Sequence, residues 1–151
     1  MRITNLYTLA ITLLAILVIG CGKDDSTIDP EKFQLEKLRK TWTLVSATID
    51  GEVAEQIESN FTLIMSGTYG SDDYAYVTAG ANFPNPWPAT GTWTFVTIEN
   101  NTGVIKRDDN VDIEYSIAEN GQLTLRFQFS GEGYDDARTK TVGGLWVFVL
   151  E

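Results

Sequence analysis

Two neighbouring runs of alternating residues constrain the fold of this chain more than any other feature. In residues 111–117 and 123–129, every second side chain is apolar and the side chains between them are polar or charged. Such alternation is typical of β-strands that are buried on one face and wet on the other. Because the tight-turn dipeptide Asn120-Gly121 separates the two runs, they predict an antiparallel hairpin. We expect burial of Ile113, Tyr115, Leu123, Leu125 and Phe127, and wet positions for Asp112, Glu114, Thr124 and Arg126.

Other segments rich in β-branched and aromatic residues predict six further strands. They are residues 41–49, 61–67, 73–79, 92–98, 103–107 and 145–151. The first of these ends at Asp50-Gly51, a strong turn signal. The polar residues 52–60 that follow predict a loop with one helical turn.

A short helix is predicted before the first strand. Asp29 suits the N-cap, Pro30 the first helical position and Glu31 the first turn, so the helix begins there and runs to about Lys40. Its apolar positions are Phe33, Leu35 and Leu38. The stripe is thin, which predicts that the helix lies on another element.

Together these elements predict an all-β fold. Eight strands with short connections and no βαβ pattern favour an antiparallel up-and-down barrel with a short N-terminal helix. A two-sheet sandwich is the alternative arrangement of the same strands. A barrel of about eight strands has room inside for side chains or for one small ligand.

The N-terminal residues 1–20 have the pattern of a signal peptide. Arg2 precedes an apolar run over 6–19 that is short for a membrane span, which needs about 20 residues. Val18-Ile19-Gly20-Cys21 resembles the lipobox of bacterial lipoproteins, and it contains the single cysteine of the chain. The resemblance implies cleavage before Cys21 and acylation of Cys21, so that lipid chains anchor the protein in a membrane. The alternative is a plain signal peptide with an incidental cysteine.

The residues after the cysteine carry a second resemblance. Gly22-Lys23-Asp24-Asp25 is similar to the export signal of surface lipoproteins from the Bacteroidetes group. It implies a position in the outer membrane that faces outward from the cell; the alternative is a solvated acidic linker. The predicted organisation is a signal peptide over 1–20, an acylated cysteine with a polar tether over 21–29, and a barrel domain over 30–151.

Three tryptophan motifs resemble a known family. "LRKTW" at 38–42 resembles the opening L-x-G-x-W of lipocalin-like domains. "WPATGTW" at 87–93 and "GLWVF" at 144–148 resemble the P-x-S/T-G-x-W and G-x-W-x-F of lipocalin-like lipoproteins from the Bacteroidetes group. This likeness covers residues 38–150 and implies a lipocalin-like barrel. Many of those bacterial domains have no assigned activity, so the resemblance implies a fold more than a function.

Charge and composition exclude several function classes. The chain has 11 Lys and Arg against 21 Asp and Glu, a net charge of −10, which disfavours nucleic acid because phosphates would be repelled. The same charge leaves membrane attachment to the lipid. The chain has no histidine, and its one cysteine is predicted to be acylated. The commonest general base, a thiol nucleophile and Cys/His metal ligands are therefore missing, and we predict no enzyme activity, no cofactor and no metal.

Acidic clusters do not alter that prediction. Residues 108–114 carry oxygens at alternate positions, as a calcium loop does, but Ile113 stands where an EF-hand needs glycine. The wet face of the predicted strand accounts for the last two carboxylates of this run. Asp72-Asp73 and Asp135-Asp136 lie in loops, and nothing fixes the separation that a pair of glycosidase carboxylates requires.

Trp87 is the candidate binding residue, because Pro86 and Pro88 flank it in the predicted loop 82–91. Two interpretations remain open: an exposed ring that is pre-organised for a sugar or a protein, and a ring that plugs one end of the barrel. The residues predicted to share its surface are Tyr74, Tyr76, Phe83 and Tyr134.

Two functions fit these observations. The first is a cell-surface lipoprotein whose barrel is a non-catalytic binding module for a small apolar or glycan ligand. The second is an accessory or scaffold protein of the outer membrane that contacts other proteins and has a packed barrel. A large interior cavity favours the first, and a filled interior with an exposed apolar patch favours the second.

Overall fold

A computed structural model describes residues 29–81, 85–131, 133 and 142–151. Within these residues the chain forms one helix and nine strands. The helix is α1 (Pro30–Leu38), and the strands are β1 (Thr41–Ile49), β2 (Glu52–Val53), β3 (Ile57–Ser66), β4 (Tyr74–Ala81), β5 (Thr90–Glu99), β6 (Thr102–Arg107), β7 (Asp112–Ile117), β8 (Leu123–Phe129) and β9 (Gly144–Leu150).

The strands form a single closed sheet. From β3 to β9 each strand pairs antiparallel with the next, β1 pairs with β3, and β1 also pairs with β9. Eight strands therefore close into an antiparallel up-and-down barrel, while the two-residue β2 pairs only with the end of β1. This confirms the predicted barrel with a short helix, and the closure by β1 and β9 excludes the sandwich.

The β7–β8 hairpin confirms the alternation in the sequence. Tyr115 lies opposite Leu125, and Glu114 lies opposite Arg126. Side chains predicted to be buried are all at most 2% exposed: Ile113, Tyr115, Leu123, Leu125 and Phe127. Of the outward side chains, Asp112, Glu114 and Arg126 are exposed and Thr124 is half-buried. A slip of one residue would turn carboxylates inward at a cost of several kcal/mol, which fixes this register.

The prediction of a helical turn within residues 52–60 is wrong. Asp50 and Gly51 have φ values of 51° and 86° and turn the chain back on itself, so that Glu52 lies opposite Ile49. β3 then begins at Ile57. Polar side chains do not prevent strand pairing here because the backbone makes the pairing bonds while the side chains of β2 remain exposed.

The helix packs on the barrel with a different face from the predicted one. Leu35 and Leu38 are buried as expected, and α1 lies against β5. Gln34 is only 1% exposed, whereas Phe33 is 42% exposed. Residues 34, 35 and 38 share one face of the helix, so Phe33 is turned towards solvent, where the Lys37 ammonium lies 3.9 Å from its ring centroid.

Aromatic side chains fill the described interior of the barrel. The ring centroid of Phe148 lies 5.5 Å from that of Phe61, 5.7 Å from that of Trp146 and 6.0 Å from that of Phe127. All four tryptophans are at most 2% exposed: Trp42, Trp87, Trp93 and Trp146. Burial of each such ring stabilises the fold by about 1.5–3 kcal/mol or more, so the interior is a packed core.

Candidate functional site

The strands of the barrel run between two ends of different construction. The helix end comprises α1, the β3–β4 connection over 67–73 and the β5–β6 turn over 100–101. The loop end comprises residues 85–89 before β5 and the β6–β7 turn over 108–111. Trp87, the candidate ligand contact from the sequence, lies at the loop end.

Trp87 plugs the loop end of the barrel. Its side chain is 2% exposed. Three rings meet it edge-on, those of Tyr76, Phe127 and Phe148, with centroid distances of 5.5, 5.6 and 6.2 Å. Of the two interpretations left open by the sequence, this geometry corresponds to the ring that closes the barrel end.

Arg107 covers the Trp87 ring and fastens the loop. Its guanidinium carbon lies 4.7 Å from the Trp87 ring centroid, a cation–π contact. Nε and Nη2 donate to the two carboxylate oxygens of Asp109, at 3.0 and 2.5 Å, and Nη1 donates to the Pro86 carbonyl at 2.9 Å. The Arg107 side chain has no exposed surface, whereas that of Asp109 is 20% exposed. One buried cation therefore joins the loop before β5 to the β6–β7 turn.

The sequence analysis did not single out Arg107, although a signal for it exists. Arg107 and Ile105 occupy the same alternating phase of β6 and both are buried. An arginine in the inward phase of a strand, followed two residues later by an aspartate, predicts a buried ion pair, because an isolated buried charge is too costly.

The indole nitrogen of Trp87 differs from those of the other tryptophans. The indole N–H groups of Trp42, Trp93 and Trp146 each donate to a backbone carbonyl, at 2.9, 3.3 and 2.9 Å. The Trp87 Nε1 atom is buried and has no hydrogen-bond partner among the residues that the structure describes. The loop end thus keeps one unsatisfied donor within a packed group of rings.

The remaining predicted site residues separate into three groups. Tyr76 contacts Trp87, as the predicted cluster requires. Tyr74 instead packs against Trp93 with 4.8 Å between ring centroids, and its hydroxyl donates to Glu31 of α1 at the helix end. Cys21, Phe83 and Tyr134 lie outside the described residues.

Polar side chains tie α1 to the barrel at the helix end. These contacts are Tyr69 to Asp29 at 2.7 Å, Tyr74 to Glu31, and Lys37 to Asn101. Asp29 also caps the helix by accepting from the Glu31 N–H at 2.9 Å. The short helix is therefore held by contacts at its beginning and near its end as well as by its buried leucines.

These contacts shift the titration of the groups involved. The hydrogen bond from Tyr69 is the main cause that lowers the pKa of Asp29. Burial, reinforced by the bond to Glu31, raises the pKa of Tyr74 to about 12. Burial alone raises the pKa of Tyr115 to about 12. Both buried tyrosines are therefore protonated at neutral pH.

Two open cavities lie at the helix end, on either side of the β5–β6 turn. One, of about 580 Å³, lies between α1 and the end of β5. The other, of about 440 Å³, lies on the barrel wall and reaches from β5 to β8. Glu99 lines both cavities. No spacing or motif in the sequence signals them, because they depend on which strands are neighbours.

The acidic residues over 108–114 do not converge on one point. Each carboxylate has a separate partner: Asp108 accepts from the Thr92 N–H, Asp109 pairs with Arg107, Asp112 with Lys106 and Glu114 with Arg126. Across the described ranges, no three His, Cys, Asp or Glu side chains group together as metal ligands would. The alternate oxygens of this run belong to strand and turn contacts.

In the described part of the chain, no helix combines the length and the apolar character that a bilayer-spanning helix requires. Comparison of the chain with protein-family models, with curated proteins and with solved structures found no match. The case for a function therefore rests on the residues and the geometry of this chain.

Proposed function

We propose that this chain is a lipid-anchored protein of the outer membrane, exposed at the cell surface, whose barrel is a non-catalytic binding module that uses its outer surface. The observation that carries the proposal is the contrast between a filled barrel interior and open cavities at the helix end. The resemblance to lipocalin-like lipoproteins remains a prediction, and the closed barrel is compatible with it.

The sequence supports the lipid anchor and the location at the cell surface. The lipobox-like residues place the single cysteine at the junction between an apolar run and a polar tether. One acyl chain binds a membrane marginally, whereas two or more bind it firmly, so a multiply acylated Cys21 would hold the domain without help from its acidic surface. Asp24 and Asp25 lie near the start of the polar tether. This acidic pair supports the outward orientation.

The available side chains support binding without catalysis. The chain has no histidine to act as a general base near neutral pH. Tyr74 and Tyr115 have pKa values raised to about 12, so neither is poised to exchange protons near neutral pH.

The packing of the barrel favours binding at the surface over binding inside. A small apolar ligand in the interior would have to displace rings such as Trp87 and Phe148 that are already in close contact. Core groups at native packing density leave few voids larger than a water molecule. The interior ligand expected for an open barrel is therefore disfavoured.

The anchor is tested by Cys21→Ser. The substitution should release the protein from the membrane fraction or leave the signal uncut, as judged by fractionation and by the mass of the protein. Asp24→Ala with Asp25→Ala should reduce cleavage by protease added to intact cells. Normal processing and unchanged membrane attachment of the serine variant would contradict the lipid anchor. Unchanged cleavage of the Asp24→Ala, Asp25→Ala variant by the added protease would contradict only the outward location.

A second candidate function, an accessory protein that contacts other proteins, is favoured by one patch of the wall. Ile64 on β3 and Val77 on β4 lie directly opposite each other and are 39% and 41% exposed. The neighbouring outward residues of these strands within the described ranges carry no charge: Thr62, Ser66, Ala75 and Ala79. Val77→Glu should remove cross-linked partners from the surface of intact cells if this face is a protein contact, whereas an unchanged pattern of adducts would argue against it.

A further inference from the structure

A row of uncharged side chains crosses the outward face of four neighbouring strands. Ile64 on β3 lies directly opposite Val77 on β4, and the row continues to Thr41 on β1 and to Thr90 on β5. Ile64 and Val77 are 39% and 41% exposed. Two aliphatic side chains that meet on the surface form a small apolar patch, whose removal from water is favourable.

Small side chains flank this patch along both strands. The next outward pair on one side is Thr62 with Ala79, and on the other side it is Ser66 with Ala75. Short side chains lose little conformational entropy when they are buried, and uncharged ones need no counter-charge. We call the outward face formed by these three pairs the Ile64–Val77 wall; a second protein surface can approach it closely.

The opposite side of the barrel, around β7 and β8, has the contrary character. Its outward side chains form ion pairs on the surface, Lys106 with Asp112 at 3.4 Å and Arg126 with Glu114 at 3.9 Å. Burial of these charges in a protein contact would require their desolvation, which is costly. Because the chain has a net charge of −10, two copies also repel each other. An uncharged face is therefore where two copies can meet at the lowest electrostatic cost.

The proposed lipid anchor fixes the direction in which this wall faces. Asp29 caps α1 at the helix end, and Cys21 lies eight residues earlier in the chain. Eight residues span at most about 29 Å, so the helix end lies close to the membrane. The strands run between the helix end and the loop end, so the wall faces sideways, towards other copies that are anchored in the same membrane.

We infer that two anchored copies of this chain form a symmetric dimer through the Ile64–Val77 wall. Its two-fold axis runs parallel to the paired strands, and Ile64 of each chain contacts Val77 of the partner subunit. The inference rests on the proposed function, because the lipid anchor determines the direction of the axis. It names a second copy of this chain as the partner for the protein-contact face.

The strand register makes the wall complementary to itself. Ile64 and Val77 are directly opposite each other, so they lie at the same level along the strands. A two-fold rotation about an axis parallel to the strands keeps that level and brings each of the two side chains onto the other one of the partner subunit. An axis across the strands would place the two helix ends on opposite sides of the dimer, which a shared membrane does not allow.

Other occupants fit this wall less well. A basic protein would be attracted to the carboxylates elsewhere on this acidic chain rather than to an uncharged face. The apolar patch itself is small, so a partner that diffuses freely would be held weakly. Two copies that are anchored in one membrane have a raised effective concentration, which compensates for a weak contact.

The test is thiol cross-linking of the full acylated chain in phosphatidylcholine vesicles, with a short bismaleimide. Ser66→Cys places a thiol on the wall near the two-fold axis and should give a cross-linked dimer. Ser116→Cys is the matched control, because Ser116 is an exposed serine near the same barrel end on the opposite side of the barrel. It should give little dimer. The parent chain should give no adduct, because its single cysteine is acylated.

Each contrary result has a distinct meaning. Equal dimer yields from Ser66→Cys and Ser116→Cys would overturn the inference and leave the proposed anchor standing. In intact cells, a Ser66→Cys adduct with a different protein in place of the dimer would assign the wall to that partner and would also overturn the inference. An adduct of the parent chain, or a chain that does not float with the vesicles, would overturn the anchor and the dimer axis with it.

Charge variants test the inferred pairing. With Ser66→Cys present, Val77→Glu should lower the dimer yield by about tenfold, because its carboxylate would be buried against Ile64 of the partner subunit. Ser116→Glu adds the same charge on the opposite side and should leave the yield unchanged. A mixture of the Val77→Glu chain with an Ile64→Lys chain should restore the dimer, since the mixed dimer pairs the two charges. Failure of this mixture to restore the dimer would overturn the inference.

Discussion

The two ends of the barrel are covered by different kinds of contact. At the loop end, Arg107 lies over Trp87 and donates hydrogen bonds to Asp109 and to the Pro86 carbonyl. At the helix end, hydrogen bonds such as that from Tyr69 to Asp29 hold α1 at the rim, and open cavities lie beside it.

This difference indicates that the loop end stabilises the fold and that the helix end offers surface for binding. Within the described residues, the loop end holds the buried charge of Arg107 in a bidentate pair, which is the arrangement that makes a buried charge tolerable. The helix end instead has open cavities on its surface, as the proposed surface binding requires. Four predictions test this contrast.

Removal of the plug should have the largest effect. Trp87→Ala should lower the free energy of unfolding by about 3–5 kcal/mol, because it leaves a cavity among packed rings. Phe33→Ala at the helix end is the matched truncation, and it should cost less than about 1 kcal/mol because that ring is already 42% exposed. Urea denaturation of both variants measures the difference, and equal losses would remove the distinction between the two ends.

Alkaline pH should destabilise the fold next most strongly. Tyr74 and Tyr115 have folded pKa values of about 12 against an ordinary 10.0, so between these values the folded state binds more protons than the unfolded state. The stability that the two tyrosines contribute is therefore fully present below pH 10 and is lost as the pH rises towards 12. Urea unfolding along a pH series measures the slope, and Tyr115→Phe should make it shallower. A slope that neither Tyr115→Phe nor Tyr74→Phe reduces would contradict this origin.

Removal of the buried cation should have an intermediate effect. Arg107→Leu keeps apolar volume over Trp87 but leaves Asp109 and the Pro86 carbonyl without their donor, so it should cost about 2 kcal/mol. Asp109→Asn should cost less, because that side chain is 20% exposed. A double-mutant cycle measures the coupling between the two residues, and additive losses would show that the pair does not fasten the loop end.

Deletion of the Tyr74 hydroxyl and of the Tyr115 hydroxyl at the helix end should have the smallest effects on stability, and the two effects should differ. Tyr74→Phe should cost about 1 kcal/mol, because it breaks the hydrogen bond to Glu31. Tyr115→Phe should change stability by less than about 0.5 kcal/mol or should stabilise the fold, because its hydroxyl has no partner among the described residues. Thermal unfolding of the two variants checks this ranking, and a larger loss for Tyr115→Phe would show that its hydroxyl is bonded in the folded protein.

Much of the barrel follows from the sequence because side-chain periodicity reports burial directly. The alternation over 111–129 places Ile113 and Leu125 inside, as observed. The same reasoning does not predict the strands within residues 52–60, because their pairing depends on backbone bonds to neighbouring strands rather than on an apolar pattern. The thin stripe of α1 leaves its rotation undetermined, so Gln34 instead of Phe33 faces the barrel.

The candidate site was less accessible to sequence reasoning. The prolines around Trp87 predict a loop, but they do not determine whether the ring points into the barrel or out of it. The two open cavities at the helix end are lined by residues from α1 and four strands, so they exist only once the strand register is known. Nothing in the sequence indicates that Gly103 makes room for the Tyr115 ring, which is clear only when Tyr115 is seen opposite it.

The comparison of the two ends is tested most directly by hydrogen exchange of the isotope-labelled full chain, followed by nuclear magnetic resonance. The backbone N–H of Arg107, which donates to Val111, reports on the loop end, and that of Phe33, which donates to Asp29, reports on the helix end. We predict slower exchange at Arg107 than at Phe33, because the loop end is fastened by a buried ion pair whereas α1 is held at the rim. Slower exchange at Phe33 than at Arg107 would contradict the account.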